Sequence, residues 1–189
     1  MAIYLGSRDL NGVPIGTHQF LVLTGHYLLA CRANSAREAE ARYLGKQGGQ
    51  DVYGVVVGAH KVGGKLVVKY FEDADLAATM EYFGGRPTSF FSSDFDAEMF
   101  PVAFGTLPDT ASIERVLECI ENYRTNVSES PIDYPTLGVG FNSNSWAQSV
   151  VQYTGGSTTE DSSGLDVSSG RRIPQIYFEN YCAVRPRVN

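Results

Sequence analysis

Cysteine, histidine, tryptophan and any excess of basic charge are all scarce in this sequence. Its 189 residues include 3 cysteines, 3 histidines and 1 tryptophan. The cysteines, Cys31, Cys119 and Cys182, lie far apart, with no CxxC or Cys/His spacing. That excludes a disulfide framework and a cysteine-based zinc motif, and it fits reduced, mostly buried thiols. Lys and Arg number 15 against 21 Asp and Glu, a formal net charge of -6. A nucleic-acid partner needs a concentrated basic face, so none is expected. No apolar run approaches the length of a membrane span. The opening "MAIYLGSRDLNG" lacks the basic start and apolar stretch of a cleaved signal peptide. The expectation is a chain made in the cytoplasm, with no membrane span. If it is secreted, it uses a route that needs no signal peptide.

What is present reads as one globular domain over 1–189. Hydrophobic residues make up 43% and charged residues 19%, which excludes global disorder. "THQFLVL" and Tyr27–Cys31 read as strands about Gly25. "NSAREAEARYLGKQGG" reads as a helix capped by Asn34 or Ser35 and stopped at Gly48-Gly49. "VYGVVVGAHKVGGKLVVKYFED" is a hairpin turning at Gly63-Gly64. A short helix over 73–83, capped by Asp73, and a strand near Phe100–Phe104 follow. Ile113, Val116, Leu117, Ile120 and Tyr123 form one apolar stripe of a helix over about 110–125, capped by Asp109 or Thr110. A second amphipathic helix over about 144–154 turns Trp146, Val150 and Val151 inward. A polar loop, 155–170, and a last strand, "IPQIYFENYCAV", end the chain. Strands first, helices next and a terminal strand predict an α+β fold, an antiparallel sheet with packed helices.

"FNSNSWA" places two Asn-Ser pairs, Asn142 to Ser145, at the start of the second amphipathic helix. Two readings compete. Asn and Ser lead the ranking of helix caps. A nucleophile at a helix N-terminus also gains from the free N–H groups and the positive dipole end, and those groups can hold an oxyanion. Ser143 is the candidate nucleophile, and Ser145, inside the first turn, is a weaker one. His18 heads a strand and is the candidate base. Gln19 points to the other sheet face from His18 and is a poor partner for it. His26 or Asp166 could orient the base, and His60, beside the Gly63-Gly64 turn, is expected in solvent. Asp94, Asp96 and Glu98 alternate like a calcium loop but lack the central Gly and distal Glu of that pattern. No metal and no cofactor are expected. The aromatic residues Phe90, Phe91, Phe95, Phe100 and Phe104 read as core, or as the wall of a groove for an acyl chain or peptide.

The helix start Asn142-Ser143-Asn144-Ser145-Trp146 resembles the Asn-Cys-Asn-x-aromatic start of circularly permuted papain-like enzymes. "THQFLVL" then stands where those enzymes carry their histidine strand, well before the nucleophile helix. The family includes cell-wall amidopeptidases, desumoylating and deubiquitinating peptidases, and lipid acyltransferases. The resemblance implies a permuted papain-like fold and hydrolysis or transfer of an amide, peptide or ester acyl group. It implies Ser143 as nucleophile, His18 as base, and Asn142 or Asn144 as an accessory oxyanion donor. It departs at Ser143, where the family has cysteine. Ser143 is therefore a working serine variant, a relic in an inactive domain, or a cap. The implied partners are a peptide, cell-wall or acyl substrate, in the manner of bacterial secreted effectors and toxins carried by a secretion machine. The alternative is a non-catalytic effector that binds a host or rival-cell protein.

Overall fold

The computed structural model describes residues 1–10, 17–25, 40–84, 97–135, 140–158 and 171–180. Seven strands form one antiparallel sheet: β1 Ala2–Asp9, β2 Thr17–Thr24, β3 Arg42–Gln47, β4 Gln50–Val62, β5 Lys65–Tyr70, β6 Glu98–Ala103 and β7 Ser157–Thr158. Their order is β3-β4-β2-β1-β6-β7, with β5 also paired to β4. The helices are α1 Asp73–Tyr82, α2 Asp109–Glu129 and α3 Ser143–Tyr153. The expected α+β class and the 52–71 hairpin are both present. That hairpin joins the same sheet as β2, in the register Phe20↔Gly58 to Thr24↔Gly54.

The sheet is buried on both faces. Because strand residues alternate, Leu21, Leu23, Val57 and Ala59 pack with Val116, Ile120, Trp146 and Val150 of α2 and α3. Phe20, Val22 and Val56, one residue out of phase, pack with Ala77 and Ala78 of α1 and with Phe83. Tyr123 anchors the first face, edge-on to Trp146 at 6.2 Å and stacked on Phe178 at 5.1 Å.

Three expectations change. The segment Arg42–Gln47 is a strand, because Gly48 (φ 58°) and Gly49 (φ 82°) form the turn that returns the chain into β4 rather than a helix stop. The terminal strand is replaced by a 3₁₀ turn, Gln175–Phe178. There the Asn126 amide donates to the carbonyls of Ile176, Tyr177 and Glu179, so those groups serve a helix rather than a ladder. Strand β1 was not anticipated. The helix ends also shift: Glu72 and Pro108 precede α1 and α2, so Asp73 and Asp109 lie in the first turns. The Tyr27–Cys31 strand, the start of the 34–47 helix, Phe90, Phe91 and Phe95 of the aromatic stretch and most of the 155–170 loop lie outside the described residues, while Phe100 and Phe104 pack against the core.

The α2 stripe gives a direct stability test. Ile120 is fully buried, whereas Leu117 is only half-buried against the same cluster. Ile120→Ala should cost about 2–5 kcal/mol in chemical denaturation. Leu117→Ala should cost distinctly less. Equal losses would show that the exposure difference carries no energetic weight.

Candidate functional site

Four elements bring polar side chains together on the α1 face of the sheet. Arg8 lies directly opposite His18 in the β1–β2 register. His60 on β4 is in phase with Gly58, which pairs with Phe20. Asp75 lies in the first turn of α1, where the helix dipole favours an anion. Arg8 Nε donates to Asp75 Oδ1 at 2.8 Å, and His18 Nε2 lies 3.1 Å from Asp75 Oδ2. His60 Nε2 lies 3.0 Å from the same oxygen, yet it is buried with no hydrogen-bond partner, so the approach is close but badly aimed. The His18 and His60 rings are 4.6 Å apart between centroids. A Cβ on Gly58 would stand 2.6 Å from Asp75 Oδ2 and 2.9 Å from His60 Nε2, so the missing side chain is what makes room for the cluster.

Electrostatics assigns the protons. Burial pushes the Asp75 carboxyl upward, but the facing His18 and His60 more than offset this and hold it well below the usual carboxylate range. Arg8, always cationic, keeps it ionised whether or not His18 is charged. Burial dominates at His18 and lowers its pKa; Asp75 opposes this, while Arg8 and His60 add to it. His18 is therefore neutral at neutral pH. An ionised carboxylate only accepts, so the proton sits on Nε2 and the lone pair on Nδ1.

Ser143 opens α3, which packs on the other face of the sheet. The helix nevertheless reaches the His18 strand. β4 pairs with β2 only as far as Phe20, and beyond that point the Asn144 side chain takes its place. Asn144 Oδ1 accepts from the Gln19 amide at 2.7 Å, and Nδ2 donates to the Thr17 carbonyl at 2.9 Å. A side-chain amide has the donor and acceptor of a peptide group, so it can complete one rung of a ladder. Ser143 Oγ donates to the same Asn144 Oδ1 at 3.2 Å. The two motifs thus meet across β2, through Asn144.

The predicted site residues fall as follows. Ser143 and His18 share no hydrogen bond, because His18 Nε2 turns to Asp75 and the Ser143 hydroxyl turns to Asn144. Asn144 is buried and ties the helix to the strand through Gln19 N and the Thr17 carbonyl. Asn142 is the N-cap, its Oδ1 accepting from Ser145 N at 3.0 Å. Ser145 Oγ contacts Gly140 O and Asn142 Oδ1, both at 3.3 Å, which makes it part of the cap. His60 faces the interior, because it alternates in phase with Gly58 and Val56 rather than with exposed Lys61. His26, Asp166, Asp94 and Asp96 lie outside the described residues. Gln19 behaves as expected: it faces α3 and accepts from Gln148 Nε2 at 3.1 Å.

Arg8 and Asp75 were missed. Each does carry a signal, a charged residue in phase with core positions. Asp75 stands three and four residues before buried Ala78 and Thr79. Asp73, two residues earlier, is exposed, and the sequence offers no ground for choosing between them. The cap assignment is testable: Asn142→Ala should cost about 0.5–2 kcal/mol, measured by thermal or chemical melting. An unchanged melting curve would mean that the cap bond is not made in solution.

No helix of the described residues is long and apolar enough to cross a membrane. No family model, no curated protein and no solved structure matches the chain.

Proposed function

We propose that this protein is a hydrolase or acyltransferase acting on an amide, peptide or ester bond, with Ser143 as nucleophile, His18 as base and Asp75 as the group that orients the base. One observation carries the reading. The buried Asp75 carboxylate fixes the His18 proton on Nε2 and so leaves Nδ1 as a lone-pair base. The strand bearing that base is joined, through Asn144, to a helix whose first residue is a serine. An acid that fixes the tautomer of a histidine serving a hydroxyl nucleophile is the logic of a catalytic triad. In the free protein His18 turns to the α1 face and Ser143 lies on the α3 side of β2, so the proposed chemistry requires the two side chains to come together at the open edge of β2, where β4 has left and Asn144 takes its place.

In the proposed reaction His18 Nδ1 takes the Ser143 hydroxyl proton as Oγ attacks the acyl carbon. Asp75 stabilises the imidazolium that forms, and backbone N–H groups at the start of α3 hold the oxyanion. The imidazolium then protonates the leaving amine or alcohol, and water or a second acceptor releases the acyl group. The permuted papain-like arrangement, with serine for cysteine, and a role as a secreted effector or toxin belong to this proposal. The experiment is covalent labelling with a serine-directed phosphonate probe, with the adduct mapped by mass spectrometry. Modification at Ser143 is expected. Failure of the folded protein to react there would favour a non-catalytic module that binds a target protein.

A further inference from the structure

The geometry points to a divalent transition-metal site formed by His18, His60 and Asp75, whose occupancy switches off the serine chemistry proposed above. The first part stands on the cluster itself; the second rests on the hydrolase reading.

The donor atoms already converge. His18 Nε2 and His60 Nε2 lie 3.1 and 3.0 Å from Asp75 Oδ2, and all three atoms lie within 4.8 Å of one another. Ligands bound tetrahedrally at about 2.0–2.2 Å from a metal are about 3.3–3.6 Å from each other, so small adjustments bring three donors onto one ion. His60 Nε2 is buried without a hydrogen-bond partner, although it sits against an oxygen that it does not face. A metal between these atoms would give that nitrogen a well-directed partner in place of a poorly aimed contact. The surroundings have the form of a ligand shell. Arg8 holds Asp75 Oδ1, leaving Oδ2 as a single-oxygen donor, and Gly58 leaves the space clear. Two imidazoles and one carboxylate suit zinc, cobalt, nickel or copper. Calcium and magnesium prefer oxygen-rich sites, and Arg8 already neutralises the one carboxylate here. His60, the most exposed of the three ligands at 12%, marks the side of entry.

Binding would change His18. To offer Nε2 to the metal, the neutral ring must carry its proton on Nδ1 instead, which turns the lone-pair base into a donor. No proton is lost and none is gained. The ring could then no longer accept the Ser143 proton, so the metal-loaded protein would be the inactive form.

The test titrates tag-free, metal-stripped protein with zinc, and with cobalt for its visible d–d bands. One equivalent should bind and give the spectrum of a four- or five-coordinate ion. His60→Gln and Asp75→Asn, each checked for folding by circular dichroism, should weaken binding by more than about 100-fold, beyond the loss of an outer-shell partner. Ser143→Ala should bind as the wild type does. Zinc should suppress phosphonate labelling of the wild type, and a chelator should restore it. Absence of stoichiometric binding by the wild type, or binding that survives both ligand variants, would overturn the site. Unchanged labelling at saturating zinc would overturn the switch. A protein that binds metal but never labels at Ser143 would refute the hydrolase reading and leave the metal site standing.

Discussion

Asp75→Ala is expected to destabilise the protein by about 3–5 kcal/mol, the usual loss when one partner of a buried ion pair is removed. Asp75 is fully buried, and the Arg8 side chain facing it is 9% exposed. The variant would leave a guanidinium without its carboxylate and two imidazoles around a void. Asp75→Asn should cost less, because an amide oxygen can still accept from Arg8 Nε. The double variant Arg8→Ala/Asp75→Ala should be less unstable than the sum of its single variants, since the stranded charge is gone. Urea denaturation of the four proteins measures all of this. A loss below ~1 kcal/mol for Asp75→Ala would show that the pair is solvated, and it would remove the fixed orientation of His18 that the proposed mechanism needs.

Ser143→Ala carries the largest expected effect on activity. Labelling at that position should disappear, while stability falls by no more than the about 0.5–1.5 kcal/mol of one hydrogen bond, the one to Asn144 Oδ1. The structure sharpens this test because the capping oxygen belongs to Asn142, not to Ser143. Cap and nucleophile are therefore different residues, and each can be removed without the other. His18→Gln should slow labelling by roughly 10²–10⁴-fold, the usual range for general-base catalysis. It should also lower stability, since His18 is buried against Asp75 and Phe20. Ser143→Cys should remain reactive, now towards thiol reagents, because a helix N-terminus favours a thiolate. Ser143→Ala that keeps full biological effect would exclude acyl transfer and leave target binding as the function.

The sequence by itself determined the elements whose periodicity has one interpretation. Alternation across Gly63-Gly64 made β4 and β5, and the Ile113–Tyr123 stripe made α2. The inward set Trp146, Val150 and Val151 placed one face of α3. It also singled out the two motifs that meet across β2. Local pattern failed where the same residues suit two structures. Gly48-Gly49 ends a helix as readily as it turns a hairpin, and pairing with β4 made the choice. His60 and Asp75 could not be placed because burial of a polar side chain depends on what the opposing layer offers. Here that is a gap above Gly58 and a guanidinium from β1, residues distant in the chain. The tertiary structure alone decided that Asn144 replaces a strand at the open edge of β2. It alone decided that His18 turns to Asp75 instead of to Ser143. Both outcomes follow from the register in which β4 leaves β2, a long-range property that no local window of sequence contains.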